Sequence, residues 1–194
     1  MPVQFTLDFE KVLAALSYFG AQDLPELTKG KLCKLIFLAD RAHVLRYSRP
    51  ITGDVMTAMQ HGPVPSYTKD VLDRFESGIA DSETASLGQY FKLDRNYQYP
   101  RYAFVSMADL SSLSKSDLKV LKDVVRDYGE KTFTELRALT HEFSAWKVAW
   151  DTRTTGSNTM LYENLFAEED ASDAISGAME EMIENGRIKG VCAE

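Results

Sequence analysis

Apolar residues recur every three or four positions from Phe9 to Phe19 (Phe9, Val12, Leu13, Leu16, Phe19). This predicts a helix there, with Asp8 as its N-cap and Gly20 as its stop. A second helix is predicted from the Thr28 cap to about Tyr47. Leu32, Leu35, Ile36 and Ala39 form one stripe, and Phe37 and Leu38 widen it until apolar surface nearly encircles the helix. A helix apolar on most sides belongs at the centre of a domain, so residues 29–47 are read as the central buried helix, its polar end reaching the surface. Val55 to Gln60 alternates like a short strand. His61-Gly62-Pro63-Val64-Pro65-Ser66 reads as a rigid segment, and a helix opened by Ser66 or Pro65, with Ser66 the favoured cap, then carries Val71, Leu72 and Phe75 to about Gly78.

Asp81 to Gly88 is polar and reads as a loop. Tyr90–Leu93 and Tyr102–Ser106 are predicted as the arms of a hairpin. Ser114 with Asp117, and Thr132 with Glu135, are capping boxes that open two further helices, the first closing at Gly129. A helical piece from Phe143 to Trp150, a loop over 152–158 and a last helix from about Glu168 to Glu184 complete the chain. The expected fold is mainly α (α+β): a single domain over 1–194 around the central helix, with a small hairpin and short strands. The helical region at 160–190 would be an accessory part.

Composition narrows the functional classes. The 194 residues carry 22 basic and 29 acidic side chains, a net charge of −7, which disfavours a dedicated nucleic-acid binder. Two cysteines, 159 positions apart and outside any CxxC pair, argue for an intracellular, cytoplasmic protein. The N-terminal residues lack the pattern of a signal sequence, and no run is apolar enough to span a membrane. Charge is uneven: residues 29–49 hold six cations against Asp40, and residues 163–194 hold nine acids against two cations. Either these are solvated helix faces, or the molecule is dipolar and steers a charged partner.

No nucleotide-binding, metalloprotease or serine-hydrolase motif is present; His141-Glu142 lacks the second histidine, since position 145 is Ala145. His43, His61 and His141 with Asp40 would be the residues of a metal- or histidine-dependent enzyme, an arrangement the spacing does not support. Neither metal nor cofactor is expected. The stretch around Tyr97, Tyr99, Arg101 and Tyr102 combines rigid aromatics with arginine, a composition that recognition surfaces favour. Its alternative is a tip whose tyrosines fold back on the domain. Trp146 and Trp150, four apart, read as core.

The blocks Lys31–His43, Arg49-Pro50-Ile51-Thr52-Gly53-Asp54, Gly62-Pro63-Val64-Pro65-Ser66 and Leu139-Thr140-His141-Glu142 with Trp146 resemble, in that order, the Panacea domain, also called the SocA-like antitoxin domain. The resemblance runs from about 28 to 146. It departs at His61 and at Phe143-Ser144, where the family often has other residues. The resemblance implies a mostly helical domain of bacterial and prophage toxin–antitoxin pairs that neutralises a co-encoded toxin by direct binding. The shared positions are Asp40, Arg41, His43, Arg49, Pro50, Gly53, Asp54, Gly62, Pro63, Pro65, Ser66, His141 and Trp146. Among these, Pro50 and Gly53 are read as setting a turn, Gly62, Pro63 and Pro65 as holding a stiff loop, and Asp40, His43 and His141 as one buried hydrogen-bond cluster. The expected partner is the cognate toxin, with homo-oligomerisation left open. The alternative reading is an adaptor delivering the toxin to an ATP-dependent protease, docked through the acidic C-terminal region.

Overall fold

The computed structural model describes residues 2–166, 177 and 180–185. In chain order the elements are helices α1 (Phe9–Gly20) and α2 (Lys29–Tyr47), strands β1 (Met56–Met59) and β2 (Gly62–Pro65), helices α3 (Ser66–Glu76) and α4 (Ser82–Leu87), strands β3 (Phe91–Asp94) and β4 (Arg101–Phe104), helices α5 (Lys115–Tyr128), α6 (Phe133–His141) and α7 (Ser144–Asp151), strand β5 (Asn158–Thr159), and a 3₁₀ turn at Tyr162–Phe166. The protein is mainly α, with small antiparallel sheets.

Every residue from Lys31 to Asp40 is buried, so α2 is the axis on which α1, α3, α5 and α6 pack. Thr28 caps it through the amide of Lys31, and Ser48, in the left-handed conformation, ends it. The capping boxes at Ser114/Asp117 and Thr132/Glu135 are both formed. Each ties two otherwise unpaired amides at a helix start.

β1 lies between β2 and β5 in one antiparallel sheet, and β3 pairs with β4 in a second. The segment expected to be a rigid loop is therefore strand β2, with Ala58 opposite Pro63 and Met56 opposite Pro65. Prolines are tolerated because β2 is an edge. The Ser66 amide donates to the Val55 carbonyl, which turns even-numbered amides toward β1 and leaves the proline positions facing outward. A second correction is α4, where a loop was expected. Asp81 and Thr84 form a reciprocal capping box and Leu87 is buried, enough for six residues that show no apolar period.

The basic stretch is not one uniformly solvated face. Lys31 and Lys34 are buried in the core. Lys29 pairs with Asp73 and Glu76, Arg46 with Asp123, and Arg49 with Asp117. The predicted last helix and the acidic C-terminal region fall largely outside the described residues. Residues 180–185 are helical, with Met182 buried and Glu181 accepting from the Ser48 hydroxyl. No helix among the described residues is long and apolar enough to cross a membrane.

Candidate functional site

The two family-specific blocks are joined by two buried carboxylates. Asp40, on α2, accepts from the amides of Ile51 and Thr52 at 2.8 and 2.9 Å and from the Thr52 hydroxyl. The Thr52 hydroxyl in turn accepts from the Asp54 amide. Asp54 accepts from the amides of Tyr67 and Thr68 at 3.0 and 2.8 Å and from the Thr68 hydroxyl, so it caps α3 from a distance. Ser66 is therefore not the cap: its hydroxyl sits 2.5 Å from that of Thr57, and the N-cap position is Pro65. Burial pushes the Asp40 carboxyl up to about 6, against the opposing pull of its three hydrogen bonds. Pro50 is buried, and Gly53, at φ +70°, makes the turn between the two carboxylates.

His43 belongs to a second cluster. Its Nδ1 donates to the Arg49 carbonyl at 2.7 Å, and its Nε2 lies 2.9 Å from the Asp117 carboxylate. Lys11 and Arg49 reach the same carboxylate at 3.0 and 2.9 Å. Burial alone would raise the Asp117 pKa. The hydrogen bonds from His43, the Ser114 amide and Lys11, with the charge of Arg49, overcome it and hold this carboxyl well below the usual range.

His141 belongs to neither cluster. It stacks on Trp146 at 4.0 Å and 6°, and Trp146 stacks on Trp150 at 5.6 Å and 12°. The Arg153 guanidinium covers the outer face of Trp150 at 3.5 Å. Trp146 also donates from Nε1 to the Met59 carbonyl, fastening α7 to β1. Asp40 and His43 thus both hold the turn at 49–52, whereas His141 stands apart, so the three do not form the single cluster expected from their shared polarity. His61 lies exposed in the β1–β2 turn, and Arg41 lies 4.3 Å from the Phe143 ring. Among the described residues, no group of three His, Cys, Asp or Glu side chains is placed to hold a metal.

Two residues that sequence reasoning missed stand next to His141. Lys34 is fully buried on α2, with the Pro63 carbonyl as its hydrogen-bond acceptor at 2.7 Å. Burial, and then the nearby Arg137, lower its pKa to about 7. Arg137 and His141 are one turn apart on α6. The available signal for Lys34 was a lysine placed inside the apolar run Leu32–Ala39; Arg137 gave none.

The hairpin arms fall close to their predicted positions. Tyr102 inserts its ring between Phe91 and Phe75, at 5.7 and 6.2 Å, and its amide donates to the Leu27 carbonyl. It is therefore a core anchor and is removed from the exposed recognition set. Tyr97 and Tyr99 remain 48% and 67% exposed. Arg101 stacks on Tyr97 at 3.6 Å while pairing with Glu26 at 3.1 Å, and Arg95 donates to the Glu76 carbonyl. The tip is rigid at its base and displays two aromatic rings, an arrangement that loses little entropy on binding.

No curated protein and no solved structure matches the chain. A family model, described as antitoxin SocA-like, Panacea domain, matches residues 32–147, which include α2 from Leu32 onward, the Asp40–Asp54 connection, the hairpin and the His141–Trp146 stack. With the model covering well over half of its length, the chain belongs to the SocA-like, Panacea-domain antitoxin family.

Proposed function

We propose that this protein is the antitoxin of a bacterial toxin–antitoxin pair and neutralises its co-encoded toxin by direct binding, without catalysis of its own. Membership of the SocA-like antitoxin family carries the reading. The β3–β4 tip is the proposed contact, because Tyr97 and Tyr99 are exposed large aromatics on an anchored hairpin with Arg101 beside them. The remaining buried polar residues of the shared motifs, Asp40, His43 and Asp54, are engaged in holding chain segments together. Their proposed role is to fix the turn after α2 against α3 and α5.

The test is growth of a bacterial host expressing the adjacent reading frame, with and without this chain, followed by co-purification. Arrest relieved by co-expression, with a complex stable at micromolar concentration, is the expected result. Arrest that this chain cannot relieve overturns the reading. If relief comes with a shortened toxin half-life that requires an ATP-dependent protease, the protein is a delivery adaptor instead.

A further inference from the structure

The side chains of His43 and Asp117 are both shut away from solvent. Two acceptors face the His43 ring. Nδ1 lies 2.7 Å from the Arg49 carbonyl oxygen, and Nε2 lies 2.9 Å from Asp117 Oδ1. A neutral imidazole carries one N–H and serves only one of them. The other contact would then set two lone pairs face to face inside the protein, where an unmet polar group is costly.

One proton must therefore lie between Nε2 and Oδ1, and the surroundings decide which atom owns it. Asp117 Oδ2 accepts from the Ser114 amide at 2.9 Å and from Lys11 Nζ at 3.0 Å, while Oδ1 accepts from Arg49 at 2.9 Å. A carboxylate has about four lone-pair positions, so donors fill three of them before His43 is counted. Burial opposes the charge on Asp117, but the donors around it prevail and keep it ionised. The proton belongs to the ring.

The remaining neighbours are compatible with that count. Ser116 Oγ stands 3.1 Å from Nε2 and 2.9 Å from Ser114 Oγ, and it can share the Nε2 proton with Asp117. Its rival role is to donate to a neutral ring, which leaves Nε2 and Oδ1 2.9 Å apart with nothing between them. Tyr47 stacks on the ring at 4.7 Å. Lys11 and Arg49 oppose a third cation, yet both are bound to the same carboxylate that His43 meets. Asp40, one turn earlier on α2, is committed to Ile51 and Thr52.

We propose that His43 is a doubly protonated imidazolium in the folded protein, and that its Nε2 proton is a latch fastening α2 to the first turn of α5. The Nδ1 proton holds the chain at Arg49, and the Nε2 proton holds Asp117. Withdrawing the Nε2 proton at alkaline pH keeps Nδ1 on Arg49 and turns Nε2 from donor into acceptor. The latch then releases the start of α5 and spares the turn, which Asp40 also holds. This device is independent of the toxin-binding reading.

The chain has three histidines, so the ring-nitrogen resonances of isotopically labelled full-length protein are few. His61→Gln, at an exposed position, removes one set, and proximity to Tyr47 identifies His43. At pH 7.5 both His43 nitrogens should resonate as N–H, each with a slowly exchanging proton. One bare ring nitrogen at that pH overturns the imidazolium. Asp117→Asn can offer Nε2 an amide donor in place of a charge, and should strip the Nε2 proton while leaving Nδ1–H. A ring still doubly protonated in that variant overturns the role of Asp117. Ser116→Ala, a milder change at a half-buried hydroxyl, keeps the proposal testable if Asp117→Asn fails to fold. It should retain both ring protons, and losing the second would make Ser116 its holder and overturn the assignment. Raising wild type toward pH 10 should shift the amides of residues 114–117 in step with loss of the Nε2 proton. Deprotonation that leaves those amides unmoved, or a ring that never deprotonates, overturns the latch.

Discussion

Replacing Lys34 with methionine should stabilise the protein, and the gain should depend on pH. Methionine matches the length and apolar character of the lysine stem and discards the amine. Burial brings the folded-state pKa from 10.5 down to about 7. At about 1.4 kcal/mol per unit, keeping this group protonated in the folded state costs roughly 5 kcal/mol. Against that, Lys34→Met leaves the Pro63 carbonyl without its donor, a loss of about 1–3 kcal/mol for a buried acceptor. The net gain is about 2–4 kcal/mol at pH 6, or some 5–15 °C in melting temperature for a chain of this size. The sign follows from proton counts. Between about 7 and 10.5 the unfolded chain holds a proton on Lys34 that the folded chain has released, so wild-type stability rises with pH across that window. The advantage of Lys34→Met should therefore be full below pH 7 and close progressively toward pH 10. Urea denaturation of both proteins at pH 6 and pH 9.5 measures it. A variant less stable than wild type at pH 6, or a gap that ignores pH, would refute the reasoning.

Three further outcomes are expected. Asp117→Asn leaves Lys11, Arg49 and His43 facing one another and should lower stability at pH 7 by about 3–5 kcal/mol. Because the Asp117 pKa is depressed on folding, wild type should lose this contribution as pH falls below about 4, while the variant's acid limb is flatter, as pH-dependent denaturation will show. Gly62→Ala imposes a strained φ and drives a Cβ against Lys34 and Thr140, and should cost about 2–4 kcal/mol by thermal melting. Tyr97→Ala with Tyr99→Ala should weaken toxin capture by roughly 2 kcal/mol or more while moving the melting temperature by under about 2 °C; an equal loss of folding would place these rings in the core.

The parts of the fold legible in the sequence are those in which local chemistry and burial agree. The near-continuous apolar surface of 32–39 specifies a central helix whatever surrounds it, and Ser114, Thr132 and Asp8 announce helix starts through contacts three residues away. Strand β2 was hidden because its prolines forbid a ladder bond on one side only, and which side faces a neighbour is set by tertiary placement. The motif residues were legible as important and illegible as a group. Asp40, His43 and His141 share polarity, yet Asp40 and His43 both hold the turn after α2, His43 reaching on to α5, while His141 faces the β1–β2 turn. Spacing on α2 gives the angle between the first two and nothing about the third. Lys34 shows the same limit from the other side. Counting charge treats it as surface, whereas the direction of its stem on a buried helix places its amine in the interior.

The β3–β4 hairpin has a consequence for how the protein changes over time. Among the described residues its two strands form a sheet of their own, its base is fixed by Tyr102 and the Thr28–Arg101 bridge, and residues 95–99 lie exposed outside the core. Lengthening such a loop costs little, because closure entropy grows by only about 0.6 kcal/mol per doubling. The tip is therefore free to drift in sequence and length while the scaffold stays constant. Inserting six glycine and serine residues between Asn96 and Tyr97 should move the melting temperature by no more than about 3 °C, and a larger drop would show the tip to be part of the fold. If the tip contacts the toxin as proposed, so detachable a segment would let a lineage exchange one adversary for another without first relearning how to fold.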